Sequence, residues 1–355
     1  MSLVDLTGAS CPLPVSETEK VTLGHGSGGQ LSAELLRDVL LPALGAAAGQ
    51  GGGVPEDAAL LDIEGTAVVM STDSFVVSPL FFPGGDIGSL SIHGTVNDLA
   101  MMGATPLALA IAYVIEEGFE LADLRRVTAS VGAAASAVGV PVVTGDTKVV
   151  GRGAADGIFV TTTGIGRRLP GANVSAAFAR PGDVIVVSGP VGSHGTAILS
   201  ARESLGFDTE ITSDSRPLHR LVAAMVAQAG PGIHAMRDPT RGGVASALNE
   251  IAAVSGIGIE IDERAVPVPV PVAAACELLG LDPLHVANEG CLVAVTEPAA
   301  ADALLTVMRS LPEGRHATRL GEVVADHPGR VVMRTLLGGT RIIDMLIGEQ
   351  LPRIC

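Results

Sequence analysis

Gly24-His25-Gly26-Ser27-Gly28-Gly29 decides how this chain is read, because it matches the dinucleotide-binding spacing GxGxxG. The match specifies a Rossmann unit only if a strand leads in, a helix follows, and an acid ends a second strand about 20 residues on, where it would hold a ribose. A short strand is predicted over 20–23 and a helix over 30–41, with Leu31, Leu35 and Val39 on one face. The acid is missing, since residues 46–54 are a Gly/Ala-rich loop. No Gly-Lys-Ser/Thr follows, which removes a Walker A loop as well. Two readings remain. Either the loop is a plain turn, or its unpaired amides, feeding a helix N-terminus, cradle an anion.

Outward from this loop, strand and helix patterns alternate. Strands are predicted over 66–72 and 158–163, with helices over 92–101 and 121–138 between them. Gly166-Arg167-Arg168-Leu169-Pro170-Gly171 breaks the pattern and sets the expected domain boundary. Beyond it, strands fit 183–188, 258–262, 291–296, 320–324 and 331–334, and helices fit 217–229, 244–254 and 299–311. The interleaving predicts an α/β protein of two similar units. The expected layout is a leader 1–19, a first domain 20–165, a second domain 166–340 and a tail 341–355, with a short last strand over 341–346.

At 355 residues the chain exceeds one ordinary core, and 47% hydrophobic against 17% charged residues fits buried cores rather than disorder. A formal net charge of −16 argues against nucleic acid and anionic membrane as partners. Aromatic residues are 2% with no Trp, leaving few platforms for stacking bases. Such a protein would hold phosphate through backbone amides, metal ions or a few placed cations. Cys11, Cys276, Cys291 and Cys355 show no CxxC or zinc spacing. With no basic-then-apolar leader and no uncharged 18-residue apolar run, a soluble cytoplasmic protein is expected. The 22 basic residues include only two lysines, Lys20 and Lys148. Genome composition would favour Arg, so a retained lysine points to a role at Lys148.

Aspartates punctuate the predicted strand ends and loops: Asp57, Asp73, Asp98, Asp146 and Asp238. One such residue is usually a cap or a turn, but five in apolar surroundings suit Mg²⁺ held with phosphates as co-ligands. Arg237 and Arg241 bracket Asp238 and could pair with it or reach phosphate. Glu289, in Asn288-Glu289-Gly290, reads first as a solvated turn residue; partly buried, it would have a raised pKa suited to proton transfer. His25 and His194 sit in Gly-rich loops as candidate phosphate contacts, whereas His93 reads as a core histidine. The chain closes on Leu351-Pro352-Arg353-Ile354-Cys355. Extended from 347, this tail spans roughly 30 Å, and Pro352 discourages helix. Arg353 offsets the α-carboxylate that disfavours a thiolate. It is either a frayed end or a covalent handle.

Together these segments resemble the HypE family, the carbamoyl dehydratases of nickel–iron hydrogenase maturation, within the superfamily of aminoimidazole ribonucleotide synthetase and selenophosphate synthetase. The resemblance rests on Leu23-Gly24-His25-Gly26-Ser27-Gly28-Gly29-Gln30, Ser71-Thr72-Asp73-Ser74, residues 79–88 (PLFFPGGDIG), residues 143–150 (VTGDTKVV), Arg237-Asp238, Thr240-Arg241-Gly242-Gly243, Asn288-Glu289-Gly290 and Pro352-Arg353-Ile354-Cys355. It implies a PurM-like fold with mixed sheets, an N-terminal domain that pairs into a dimeric β-barrel, and a flexible tail. It implies that Cys355 receives a carbamoyl group from HypF, that ATP phosphorylates the amide oxygen, and that loss of phosphate and the N–H protons leaves a thiocyanate. The cyanide would pass to a HypC–HypD complex. Lys148 and Glu289 would assist deprotonation; Asp57, Asp98 and Asp238, then Asp73 and Asp146, would hold Mg²⁺. ATP would meet His25, Gly26, Ser27, Gly28, Gly29, Asn97, Gly145, Thr147 and Arg241. The leader with Cys11, and Cys291 where a lysine is common in the family, depart from the pattern.

Rival readings are a selenophosphate- or purine-type synthetase of the same superfamily, and a redox or scaffold protein using Cys355 in a mixed disulfide. Neither synthetase has a use for a terminal cysteine, and the disulfide reading leaves the aspartates unexplained.

Overall fold

The computed structural model describes residues 20–44, 56–203, 210–348, 351 and 353–355. The leader with Cys11, the loop 46–54 and Pro352 lie outside the described residues. The strand predicted over 20–23 is absent. Leu23–Gly26 is a 3₁₀ turn, and Val21 and Leu23 are exposed. The predicted helix follows as α1 (Gln30–Leu35), a wider π turn (Leu36–Leu40) and α2 (Leu41–Leu44). The Gly-rich loop is held by contacts distant in sequence. Gln30 N donates to Leu346 O (2.8 Å) and Arg241 Nη1 to Gly26 O (2.6 Å).

The first sheet is built from β1 (Ala59–Ile63), β2 (Thr66–Phe75), β5 (Ala104–Glu116), β6 (Val142–Val150) and β7 (Ile158–Arg168), in the order β1-β2-β7-β5-β6. All neighbours are antiparallel except β5 and β6. β7 runs through Gly166–Arg168, so those residues of the expected second domain pair in the first sheet. Glu64 (φ 52°) and Gly65 (φ 81°) join β1 to β2, the left-handed pair that a two-residue hairpin turn requires. A small hairpin, β3 (Phe81–Phe82) and β4 (Gly85–Asp86), leads into α3 (Ile87–Met101). Asp86 caps that helix by accepting from Gly88 N (2.7 Å) and Ser89 N (3.0 Å). With α4 (Leu121–Val138), α3 covers one face of the sheet, packing Leu90, Val127 and Val131 with Leu109, Ile158 and Val160.

The other face is uncovered. Register places Met70 beside Ile165, and Ser74, Thr161, Ala112 and Asp146 in one row across it. Leu61, Ile63, Met70 and Ile165 are exposed there.

The second sheet is covered on both faces. Its strands are β8 (Val184–Val187), β9 (Ile233–Arg237), β10 (Gly258–Asp262), β11 (Val293–Thr296), β12 (Thr318–Val324), β13 (Val331–Arg334) and β14 (Thr340–Ile343), in the order β14-β13-β10-β12-β8-β11-β9. The period of two is plain in β8. Ile185 and Val187 pack with Val244 and Leu248 of α7 (Gly243–Ser255), whereas Val184 and Val186 pack with α6 (His219–Ala229) and α9 (Pro298–Arg309). Each fully buried Leu, Ile or Val contributes about 1.5–3 kcal/mol. Two helices that periodicity did not reveal, α5 (Ser193–Arg202) and α8 (Val270–Leu279), complete the layer beside the tail. Among the described residues no helix is long and apolar enough to cross a membrane.

Candidate active site

Four of the five predicted aspartates converge with Glu289. Asp73 lies on β2, Asp98 on α3, Asp57 just before β1 and Asp238 just after β9. With Thr72, Arg241 and Cys355 they line a cavity of about 220 Å³. Gly94 makes the approach of α3 to β2 possible, since a Cβ there would lie 2.8 Å from the Phe75 ring. Glu289 is 3% exposed, which corrects the expectation of a solvated turn residue. The cause is distant in sequence. The Asp214 carboxylate accepts from Glu289 N and Gly290 N, each at 3.1 Å, and folds the turn inward.

The electrostatics are those of crowded, buried anions. Burial, reinforced by the neighbouring carboxylates, pushes the pKa values of Asp98, Asp238 and Glu289 well above the ordinary range. Asp57 and Asp73 are raised by burial too, although Arg237 and Arg241 partly oppose it. Arg237 Nη1 pairs with Asp57 Oδ1 at 2.5 Å, and Ser71 Oγ donates to Asp98 Oδ2 at 2.6 Å. Asp57 Oδ2 and Glu289 Oε1 are buried with no hydrogen-bond partner. Orphaned carboxylate oxygens in an acidic cavity fit a divalent cation. Among the described residues no three such groups converge closely enough to hold one alone, so phosphate oxygens would complete its shell.

The tail lies against this cavity. Val76 N donates to Cys355 O (3.0 Å) and Ser78 N to Arg353 O (3.1 Å), an antiparallel register continuing from β2. His194 Nε2 lies 2.5 Å from Ile354 O, and Arg202 Nη2 donates to Arg353 O (2.8 Å). Arg353 pairs with Asp156. Leu351 and Ile354 are buried in the first core. Burial raises the Cys355 thiol well above its usual range, with Arg241 opposing and Glu289, Asp73 and Asp238 adding to the rise. A second, mostly apolar pocket bordered by Ser27, Arg241, Leu351 and Cys355 connects the tail to the Gly-rich loop.

Gly28 (φ 73°) has Arg241 Cβ 2.7 Å from any Cβ added to it, so glycine alone permits this seam. Gly26 and Ser27 line the second pocket, and Gly29 backs onto Leu346. His25 turns away from it, its Nδ1 against Thr22 N (3.0 Å). His194 sits in the first turn of α5, not in a loop, and contacts the tail instead of standing open to phosphate. His93 is mostly buried as expected, its Nδ1 3.0 Å from Ser215 Oγ. Asn97 is occupied by backbone: Oδ1 accepts from Leu218 N (2.8 Å), and Nδ2 donates to Arg216 O and Glu289 O. Cys291 is buried at the head of β11 with its pKa pushed up to about 12 by burial.

Gly145, Asp146, Thr147 and Lys148 are not brought to the cavity within one copy. They lie on β6, an exposed edge strand, where Lys148 Nζ pairs with Asp146 Oδ2 at 2.6 Å. Three strand spacings, about 14 Å, separate Asp146 from Ser74 across the uncovered face. Sequence reasoning missed Asp214, Ser213 and Arg202. None lies in a Gly-rich or otherwise conspicuous motif, and their partners are far away along the chain.

A buried carboxylate cluster between two α/β layers, faced by a Gly-rich loop, defines a class. Residues 55–168 match the N-terminal domain of AIR synthase related proteins and residues 180–334 match their C-terminal domain. Within that class the chain belongs to the HypE family of carbamoyl dehydratases. It is 55% identical over 348 residues to carbamoyl dehydratase HypE of Cupriavidus necator, covering 98% of each chain. The crystal structure of a HypE–HypF complex superposes with a TM-score of 0.81 at 47% identity, covering 87% of this chain and 100% of that one. A HypE crystal structure in complex with ATP gives a TM-score of 0.79 at 48% identity, covering 93% and 98%. The fold is thus the mixed-sheet, two-domain PurM-like architecture.

Proposed function

We propose that this protein is an ATP-dependent carbamoyl dehydratase that converts an S-carbamoyl group on Cys355 into a thiocyanate, the source of hydrogenase cyanide ligands. HypF is the donor, and a HypC–HypD complex is the acceptor. The observation that carries this reading is the terminal thiol lining a cavity with five mostly buried carboxyls and Arg241. A structural cysteine has no reason to sit among carboxyls that disfavour its thiolate, a disfavour that Arg241 only partly offsets. A carbamoylated one does, because acylation removes the charge that the cavity opposes.

The chemistry follows from leaving-group ability. The amide oxygen cannot depart as oxide, so ATP phosphorylates it, giving ADP. The C–O bond then breaks with release of phosphate while nitrogen gives up two protons, leaving S–C≡N. Glu289, with its raised pKa, is suited to hold one of those protons. Asp214 aims it. Arg241 offsets charge at the sulfur and at phosphate. Asp57, Asp98 and Asp238, with Asp73, would hold Mg²⁺, which supplies charge neutralisation for the triphosphate. ATP lies along the backbone of His25–Gly29 and the side chain of Arg241 in this reading, with Asn97 acting through the backbone of Glu289.

Lys148, with Asp146, Gly145 and Thr147, enters from a second copy. The uncovered first sheet pairs with its twin as a closed dimeric barrel, burying Met70 and Ile165 and carrying β6 to the other subunit's cavity. The docked tail is one state of a mobile arm that leaves to be loaded by HypF. In this reading the functional units are a leader 1–19, a first domain that runs on from 165 to the end of β7 at Arg168, a second domain that includes β14 to Ile343, and an arm after it that ends at Cys355, in a cytoplasmic enzyme. The test is the mass of the C-terminal peptide after incubation with HypF, carbamoyl phosphate and ATP. A cyano adduct supports the reading, and an unchanged carboxamide overturns it.

A further inference from the structure

The segment 213–216 is held on both sides by residues that matter for the tail and for Glu289. Ile354 O can only accept a hydrogen bond, so His194 must present Nε2–H to it (2.5 Å). His194 is fully buried, and burial lowers its pKa to about 4, so the ring is neutral and Nδ1 is an acceptor. Its partner there is Ser213 Oγ, at 2.7 Å. Ser213 therefore selects the tautomer that binds the tail. Ser213 is itself fixed. Its N donates to Pro83 O (2.8 Å), and its Oγ accepts from Ser215 N (3.1 Å). The Pro83-Gly84 turn fits this contact, because a Cβ at Gly84 (φ 91°) would lie 2.7 Å from Ser213 O. Phe82 packs edge-on against His194, with centroids 5.6 Å apart. The β3–β4 hairpin, a motif with no place in the chemistry above, thus buttresses His194. The next residue, Asp214, accepts from Glu289 N and Gly290 N.

We propose that Ser213 and Asp214 form a positioning bracket in which Ser213, through His194, seats the carrier tail while Asp214 seats Glu289, bringing sulfur and carboxylate into register. His194, Ser213 and Asp214 are positioning residues; none touches the reacting atoms. The inference rests on the reading of Cys355 as carrier, but seating can be measured without turnover.

The experiment uses the full-length protein. Cys355 alkylation by a small maleimide is followed by the mass of the C-terminal peptide. Single-turnover dehydration is followed on protein loaded by HypF. Loss of a buried hydrogen bond in His194→Ala is expected to raise the alkylation rate about tenfold and to slow dehydration by a similar factor. His194→Gln, whose amide can donate to Ile354 O, restores both to within about threefold. Ser213→Ala raises alkylation several-fold. Asp214→Asn slows dehydration with alkylation at the wild-type rate. Unchanged alkylation in both His194→Ala and Ser213→Ala overturns the bracket. Should His194→Ala not fold, an unchanged rate in Ser213→Ala overturns it alone. If wild-type protein yields no cyano adduct, the carrier reading fails, and the alkylation series still decides whether His194 seats the tail.

Discussion

Strand β6 and the carboxylate cavity hold the same kind of pair, an aspartate against a cation, in opposite surroundings. On β6, Asp146 meets Lys148 in open solvent, and that hydrogen bond holds its carboxyl below the usual range. In the cavity, Asp57 meets Arg237 at a similar distance, yet burial drives its carboxyl upward. One pair is comfortable and unengaged. The other belongs to a group of carboxyls that folding has forced together, whose charge protons or a divalent cation would balance. In the dimer proposed above, a site split in this way would be inert in one copy, and the groups on the edge strand would act only when a second copy covers that edge.

The largest effect should come from the cavity. Cys355→Ser leaves the fold intact and removes the cyano product completely, as read from the C-terminal peptide; normal product would end the carrier reading. Next is the uncovered face. Ile165→Asp introduces a charge where two sheets would meet, so sedimentation should report a monomer and turnover should fall at least about a hundredfold. A fully active monomer would erase the distinction between the two regions. Lys148→Ala should slow dehydration by about a hundredfold, the scale of a lost proton-transfer group, with an unchanged melting temperature.

The smallest effect concerns stability. A carboxyl whose folded pKa exceeds its unfolded value binds more protons when folded. Its stability is therefore greatest at low pH and is lost as pH rises from about 4 through the raised folded value. Without magnesium, the protein should melt at progressively lower temperature from about pH 5 to about pH 8. Asp98→Asn should flatten that slope and stabilise the metal-free protein by about 1–2 kcal/mol, while abolishing the magnesium–ATP thermal shift.

Much of the architecture was legible because local chemistry wrote it. α4, β10 and β13 have the predicted limits: α4 has a clean helical period and stops at Gly139, β10 places Glu260 between two isoleucines and stops at Asp262, and β13 is a short apolar run that stops at Arg334. The strand over 20–23 failed because a strand needs a partner that sequence cannot name. β5 and β6 were missed because their alanine- and valine-rich runs carry no decisive alternation. Glu289 was read as solvated since nothing beside it announces Asp214, 75 residues away. Asn97 looked like a ligand contact, yet its amide is consumed by backbone on a distant segment.

By itself the sequence determined the inventory: the carboxylates, the sparse lysines, the Gly-rich loop without a Rossmann acid, and a terminal thiol. Residue type and short spacing suffice for these. Only the tertiary structure decided which acids are buried together, that the tail docks against them under His194 and Arg202, and that Lys148 stands apart on an edge. Burial and pKa depend on what long-range packing removes from water, and that is set by contacts between segments as far apart as Gln30 and Leu346.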